Sequence, residues 1–403
     1  MKLILIIIFS TTILISLFSF NQILFPKLLI ELTSDYQNTS NNIFELGIWA
    51  IPFLISNIMF GIIWFSFKFL KIPIRKYINT LLDFDLSKKV TILSLIVLFS
   101  VYLAFSVEGL FQDESVYDDY FDVIQGVEEV TLYVEDVEEG EGKGHLNYFY
   151  LRYIFLEISY DVFDNIRFLP FLSSIALLSL TYLFSVKISG KRISGIVALI
   201  IVIQSNLFHL FDTTATYENF WATFFLLGLY LILKKPHLSP ISFIISILTK
   251  LVAFLFYPIF VSLILSTNES MKKKKRMLAV YGFFPIFFIA GFFIPGAFSL
   301  EQFGTVDSRY VLTGFSALAM GLRFDGLVLL SFFPVLFLLY IKSRNNFRYA
   351  NFLLVSITMM LLIPPLISGV AGYTNQPYRL VPLVIMFSIA VGYLFSKKST
   401  ISQ

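Results

Sequence analysis

The sequence predicts an all-α polytopic membrane protein with about twelve transmembrane segments and one large loop that bears two amphipathic surface helices. Of its 403 residues, 57% are apolar and only 14% are charged, whereas soluble domains have about 25% charged residues. Apolar runs of roughly 17–25 residues, the length that crosses a bilayer core, recur along the chain. This composition excludes soluble, collagen-like, coiled-coil and disordered proteins. The absence of cysteine excludes disulfides and thiolate metal sites.

Twelve apolar runs are the candidate transmembrane segments. They lie near residues 3–25, 46–68, 90–110, 167–186, 193–211, 218–233, 239–249, 251–267, 277–297, 325–341, 350–369 and 380–396. The runs at 239–249 and 251–267 are short for full crossings, so they predict either an even number of crossings or a re-entrant hairpin. The first run lacks a small-residue cleavage site, which predicts a retained helix rather than a signal peptide.

The orientation follows from the basic residues, because short cytoplasmic loops carry an excess of Lys and Arg. Under alternating threading, 22 of the 30 basic residues fall on one side of the membrane and 24 of the 27 acidic residues on the other. The basic ones lie at Lys2 and in residues 68–89, 187–192, 234–235, 272–276, 342–348 and 397–398. Both termini are therefore expected in the cytoplasm, and the large loop is expected outside.

Composition divides the chain into N-terminal transmembrane segments at 1–106, an acidic loop at 107–166, and a transmembrane core with short outer loops at 167–403. Between Val107 and Asp164 there are 16 acidic residues and two basic ones, a net charge of −14. Segments of this length are uncommon as simple connectors. The acidic loop is therefore the best candidate for a functional segment.

The acidic loop contains two stretches in which apolar residues recur at helical spacing. The first, Phe111–Gln125, has Asp113 and Glu114 near its start, where carboxylates either cap the helix or do chemistry. The second covers residues 145–160. Both predict amphipathic helices that lie on the membrane surface, where a lipid-linked substrate would reach them.

The insert between these helices, residues 127–144, is rich in Gly and Glu. A short strand could form around residues 131–134. An acidic run of this kind is usually a solvated face or a weak cation-binding surface. The insert is therefore interpreted mainly as solvated chain.

Ionisable residues recur at the outer ends of the predicted segments, where they are costly and usually functional. They are Arg167, Asp212, Glu218, Lys250, Arg309, Arg323 and Arg379. Acids and bases on one face would suit an anionic substrate and a catalytic carboxylate. Alternatively, each basic side chain only extends its charge to the lipid headgroups. The three histidines lack metal-cluster spacing, and the sequence has no phosphate-binding loop or dinucleotide fingerprint.

Six short motifs follow one another between residues 98 and 396. They are Asp113-Glu114-Ser115-Val116-Tyr117, Gly144-His145-Leu146-Asn147-Tyr148, Arg167 at the start of a segment, Tyr217-Glu218-Asn219, Leu248-Thr249-Lys250, and Tyr378-Arg379-Leu380-Val381-Pro382. Their order resembles the GT-C fold membrane glycosyltransferases, in particular protein O-mannosyltransferases and bacterial aminoarabinose transferases. The sequence departs from that pattern because no Pro-Pro follows His145, two additional segments precede the acidic loop where these families usually have one, and the insert at 127–144 has no counterpart.

The resemblance implies a glycosyltransferase that moves a sugar, with inversion, from a polyprenyl-phosphate-linked donor to a hydroxyl of a lipid, glycan or protein acceptor. The reaction would occur on the outer face of a prokaryotic cell membrane. Asp113 is the implied base, since an acceptor hydroxyl needs a carboxylate to take its proton, and Glu114 is its neighbour or an acceptor contact. Lys250 and Arg379 are the implied clamp for the leaving phosphate.

The other substrate-binding positions implied by the resemblance are Tyr117, His145, Arg167, Glu218 and Tyr378. Glu218 would bind sugar hydroxyls or help to hold a divalent cation, which some relatives use and others do not. The identities of the sugar and the acceptor and the need for a metal stay open at this point. Membrane lipids are expected partners and nucleic acid is not.

Two other interpretations fit the same composition. Twelve segments with both termini inside also fit a lipid or solute transporter, although such carriers usually have internal repeats and polar residues at the midplane. No repeat relates residues 1–200 to residues 201–403. A catalytically silent scaffold would keep the fold alone. A site that joins the acidic loop to the late basic residues and opens to the outer leaflet would favour the transferase, whereas a sealed central cavity would favour the carrier.

Overall fold

The structure is a computed structural model, and the part of the chain that it describes is mainly helical. It describes residues 2–24, 50–69, 84–115, 119–131, 133–135, 144–147, 149–291, 311, 314–315, 325–345, 347–371 and 377–396. The α-helices are α1 Lys2–Leu24, α2 Ala50–Phe69, α3 Lys88–Ser106, α4 Tyr120–Glu128, α5 Tyr150–Phe163, α6 Phe168–Ser189, α7 Arg192–Ile203, α8 Asn206–Phe211, α9 Phe220–Lys234, α10 Ser239–Thr249, α11 Tyr257–Ser266, α12 Met271–Gly291, α13 Gly326–Arg344, α14 Arg348–Ala371 and α15 Val381–Tyr393. Short 3-10 helices cover Val107–Phe111, Leu251–Phe256 and Pro377–Leu380.

Each predicted apolar run contains a helix, so the helical membrane class is confirmed. Among the described residues, four helical stretches are long and apolar enough to cross a bilayer: Lys88–Phe111, Phe168–Ser189, Gly326–Arg344 and Arg348–Ile367. Several further apolar helices are shorter, including α7, α9 and α10. Helices of this kind are those of an integral membrane protein, because a helix satisfies all its backbone hydrogen bonds internally.

The chain forms two compact units. The first comprises Met1–Leu98, Thr181–Phe208 and Val306–Gln403, and the second comprises Phe99–Leu180 and His209–Thr305.

In the first unit, α7 packs closely on α15. Gly392 allows this approach, because a Cβ atom at that position would lie 2.4 Å from the backbone oxygen of Ser194. Ser185 donates a hydrogen bond to the same oxygen at 3.0 Å. The rings of Phe332 and Phe387 stack with their centroids 5.5 Å apart, which joins α13 to α15. Small residues at such crossings let apolar helices gain packing contacts that lipid does not provide.

In the second unit, α9 and α10 pack side by side through a row of serines. Ser239, Ser242 and Ser246 on α10 donate hydrogen bonds to the carbonyl oxygens of Gly228, Phe224 and Trp221 on α9, at 2.7, 2.7 and 2.8 Å. The spacing of these serines puts them on one face of α10. Hydrogen bonds between apolar helices contribute about 0.6–2 kcal/mol each, so the row fixes the register of this pair.

The acidic loop folds as α4, a β-hairpin and α5, all within the second unit. Strand β1, Tyr133–Glu135, pairs antiparallel with β2, Gly144–Leu146. The tip of the insert, residues 136–143, lies outside the described residues. Helices α4 and α5 meet at Gly126, where a Cβ atom would lie 2.4 Å from the ring of Tyr153. A small apolar cluster lies beneath them, made of Val123, Leu156, Ala215 and Phe220.

The first surface helix begins later than the sequence predicts. The 3-10 helix Val107–Phe111 is followed by non-helical residues 112–115, and α4 starts at Tyr120. The predicted helix from Phe111 is therefore wrong at residues 112–115, and residues 116–118 lie outside the described residues. The side chain of Asp113 hydrogen-bonds to the backbone and hydroxyl of Ser115, and local side-chain bonds of this type compete with helix formation. The second predicted surface helix is confirmed as α5.

Candidate functional site

Asp113 is an exposed carboxylate held by a neighbouring serine. Its Oδ1 accepts from the backbone N–H of Ser115 at 2.9 Å, and its Oδ2 accepts from the Ser115 hydroxyl at 2.6 Å. The hydroxyl bond and then the backbone bond hold the pKa of Asp113 below its ordinary value. Asp113 does not cap α4, because Asp119 stands at that N-cap. Asp113 is thus an ionised, solvent-accessible acceptor at neutral pH.

Glu114 faces the opposite way and is buried, with 3% of its surface exposed. Its Oε1 accepts from Arg167 Nε at 2.6 Å and from the N–H of Ala215 at 2.7 Å. Its Oε2 accepts from the N–H of Thr216 at 2.8 Å and from the Thr216 hydroxyl at 2.6 Å. A carboxylate can accept about four hydrogen bonds. All four hydrogen bonds that the Glu114 carboxylate accepts therefore come from within the protein, and they join three separate stretches of the chain.

Arg152 holds the same two residues from the other side. It lies in the first turn of α5 and is buried. Its Nη2 donates to the carbonyl oxygens of Ala215, at 3.4 Å, and Thr216. Its Nε lies 2.8 Å from Oε2 of Glu218. One guanidinium therefore binds both the backbone of the 212–219 loop and the carboxylate that this loop carries.

Glu218 is fully buried between two basic residues. Both of its carboxylate oxygens lack a hydrogen-bonding partner among the described residues, although the ion pair with Arg152 is close. Burial raises the pKa of Glu218, and the positive charges of Arg152 and Lys250 oppose that rise. Lys250, between α10 and the 3-10 helix Leu251–Phe256, is itself buried. Glu218, Arg152 and Lys250 therefore form a buried cluster of one acid and two basic residues.

Further contacts fix the ends of the 212–219 loop. Asp212 is buried and accepts a hydrogen bond from the Ser106 hydroxyl at the end of α3, and His209 Nδ1 lies 3.3 Å from Asp212 Oδ2. At the other end, the Tyr217 hydroxyl donates to Asp119 Oδ2 at 3.1 Å. Arg167 also donates to the carbonyl oxygen of Gly109. The loop is thus tied to α3, to the start of α4 and to α5.

The described residues contain no group of three or more His, Asp or Glu side chains that could hold a metal ion. The divalent cation that the resemblance leaves open therefore has no assigned ligand set within this part of the chain. The main cluster of charged side chains in this part of the chain is instead formed by the ion pairs of Glu114 with Arg167 and of Glu218 with Arg152, around Ala215 and Thr216.

Of the sequence-predicted site residues that the structure describes, six belong to the second unit: Asp113, Glu114, His145, Arg167, Glu218 and Lys250. Direct contacts join Glu114 to Arg167, and the charge of Lys250 acts on Glu218. His145 lies in β2 opposite Val134.

Tyr378 and Arg379 belong to the first unit, in the 3-10 helix Pro377–Leu380. The Arg379 guanidinium lies 5.9 Å from the centre of the Tyr378 ring. The meeting of Arg379 with the acidic loop stays a prediction. Tyr117 lies outside the described residues.

Sequence reasoning missed Arg152 and the backbone of Ala215–Thr216. A signal for Arg152 was available, because it is one of only two basic residues between Val107 and Asp164. A basic residue inside a strongly acidic stretch is attracted to the carboxylates around it, and a charge that is buried needs such a partner. The two backbone amides carry no signal in the sequence, since any residue type supplies them.

No protein-family model, curated protein or solved structure matches this chain. Its class is therefore defined by the fold and the site together. It is an α-helical integral membrane protein in which a buried ion pair, Arg152 with Glu218, and the hydrogen bonds of Glu114 join an acidic loop to the short 212–219 loop.

Proposed function

We propose that this chain is a GT-C type glycosyltransferase of the cell membrane. It would transfer a sugar, with inversion, from a polyprenyl-phosphate-linked donor to an acceptor hydroxyl of a lipid, glycan or protein on the outer face. The proposed topology has twelve membrane segments and cytoplasmic termini. The basis is the order of six motifs in the sequence together with the charges that meet around the 212–219 loop.

The observation that carries the proposal is the combination of an exposed ionised carboxylate, Asp113, with the buried basic residues Arg152 and Lys250 beside Glu218. Asp113 is exposed and its pKa is lowered. Arg152 and Lys250 are buried, and the positive charge of each acts on Glu218. Charges interact more strongly in a buried site than in water, so basic groups there would stabilise an anion that enters beside them. A phosphate-linked sugar brings such an anion together with an electrophilic carbon.

In the proposed reaction each side chain of the site has one role. Asp113 accepts the proton of the acceptor hydroxyl, whose oxygen forms a bond to the anomeric carbon of the sugar. The bond from that carbon to the phosphate oxygen breaks, and the phosphate leaves with the electron pair. Lys250 stabilises the charge that develops on the leaving phosphate. Ser115 keeps the Asp113 carboxylate in place through its hydroxyl.

The test is transfer by the purified protein in lipid nanodiscs, with a panel of short-chain polyprenyl-phosphate sugars and hydroxyl acceptors. The decisive variant is Asp113→Asn, which keeps the shape of the side chain and removes its ability to take a proton. Loss of a general base lowers the rate by about 10²–10⁴-fold. Asp161→Asn, an exposed acid near the end of α5, is the matched control and should transfer at the parental rate. Parental transfer by Asp113→Asn, or release of sugar from no donor in the panel, would contradict the proposal.

A further inference from the structure

The backbone N–H and C=O groups of Ala215 and Thr216 are held from both sides by buried charged groups. Their N–H groups point to the carboxylate of Glu114, at 2.7 and 2.8 Å. Their carbonyl oxygens accept from the guanidinium of Arg152. A carboxylate at the donor end and a guanidinium at the acceptor end match the polarity of a peptide group. Hydrogen bonds to ionised groups are roughly twice as strong as neutral ones.

The same charged groups are also connected to Glu218 and Asp113. Arg152 binds Glu218 two residues further along the loop. Glu114 is the direct neighbour of Asp113 in the chain, and its own position is fixed by Arg167. A shift of either charged group would therefore change the distance between the exposed carboxylate and the buried cluster.

We propose that Glu114 and Arg152 are positioning residues that clamp the Ala215–Thr216 backbone and thereby fix Glu218 relative to Asp113. The inference rests on the proposed function for its catalytic consequence, but the clamp itself does not depend on it. Glu114 in this assignment contacts neither the acceptor nor the donor. Arg152 is assigned a positioning role, although it belongs to none of the six sequence motifs.

Hydrogen exchange tests the clamp directly, in the full-length protein in nanodiscs. Glu114→Gln places an amide NH₂ group where Arg167 Nε or the backbone N–H groups need an acceptor. Arg152→Lys replaces the planar guanidinium, which donates to two carbonyl oxygens, by a single ammonium group. Both variants should raise the exchange rate of the backbone amides in residues 212–219 by about tenfold or more, since each disrupts charge-assisted bonds. Thr216→Val is a milder third variant, because it removes only the hydroxyl bond to Glu114. Asp113→Asn should leave exchange in this loop at the parental rate.

Kinetics then separate positioning from chemistry. A misplaced catalytic group loses rate rather than binding, and a displacement of about 1 Å can cost about 10²-fold. Glu114→Gln and Arg152→Lys should therefore lower kcat by about 10- to 100-fold with the donor KM nearly unchanged. Thr216→Val should lie between them and the parental protein.

Exchange and transfer together distinguish the clamp from a catalytic role of Glu114. Parental exchange in both Glu114→Gln and Arg152→Lys would overturn the clamp. Parental exchange combined with loss of transfer in Glu114→Gln, to the level of Asp113→Asn, would make Glu114 a catalytic group and also overturn the assignment. Raised exchange in a protein that transfers sugar from no donor would support the clamp while the proposed function fails.

Discussion

Arg167 and Glu114 form a buried ion pair, with Arg167 Nε 2.6 Å from Glu114 Oε1. The two residues are 53 positions apart in the sequence. The pair joins the residues that follow the 3-10 helix Val107–Phe111 to the start of α6, and Glu114 extends the connection to the 212–219 loop. The acidic loop is therefore tied to the rest of the second unit by charge as well as by the apolar cluster that α4 and α5 share with Ala215 and Phe220.

Breaking this pair should destabilise the protein strongly. Arg167→Ala leaves the Glu114 carboxylate buried without its cation, and loss of one partner of a buried pair typically costs about 3–5 kcal/mol. The free energy of unfolding in detergent micelles, measured with denaturant, would report the loss. Lys273→Ala is the matched control, because its ion pair with Glu269 is exposed and should contribute about 0–1 kcal/mol. Equal losses in the two variants would contradict the role of burial.

The close approach of α7 and α15 gives a second stability prediction. Gly392→Ala places a Cβ atom 2.4 Å from the backbone oxygen of Ser194, and a backbone atom cannot move aside as a flexible side chain can. Overpacking of this kind typically costs about 1–3 kcal/mol. Gly61→Ala is the control, since a Cβ atom there meets nothing within 4 Å. A drop in the thermal midpoint for Gly392→Ala, and none for Gly61→Ala, is the expected result.

The positions of the helices could be predicted from the sequence, whereas the connections of the site could not. Long apolar runs leave only the helix as a backbone solution in lipid, so α3, α6 and α13 appear where the runs lie. The inward role of Glu114 could not be predicted, because its partners Ala215 and Thr216 are 101 and 102 residues away. The late start of α4 depends on the local bonds between Asp113 and Ser115, which apolar periodicity does not register.

The proposed phosphate clamp predicts a selective defect in donor use. Lys250→Ala and Arg379→Ala should each weaken use of the lipid-phosphate donor, because removing one partner from a desolvated charge pair typically costs about 2–5 kcal/mol. The measurement is the donor KM and kcat/KM of variants that fold as the parental protein does. Lys234→Ala, at the exposed end of α9, is the control. If both clamp variants use the donor normally, the two side chains only extend to the headgroups.

The charge distribution predicts that the acidic loop is outside the cell. The chain has no cysteine, so single cysteines can be introduced without first removing others. A cysteine at Glu139 should react with a membrane-impermeant reagent added to intact cells, and one at Lys273 should react only after the membrane is opened. The reverse pattern would contradict both the topology and the proposed site on the outer face.

The bond between Ser115 and Asp113 predicts how activity depends on pH. The Ser115 hydroxyl is the largest cause that lowers the pKa of Asp113, so Ser115→Ala should raise that pKa towards its ordinary value. If Asp113 is the base, kcat/KM falls as pH drops through the pKa of the free enzyme's carboxylate. The acid limb of the parental profile should therefore lie below the usual carboxyl range and move to higher pH in Ser115→Ala, while activity at neutral pH persists because the group is still ionised there. Ser331→Ala removes a hydroxyl from α13 and should leave the limb in place. An acid limb that is the same in both variants would assign the proton transfer to another group.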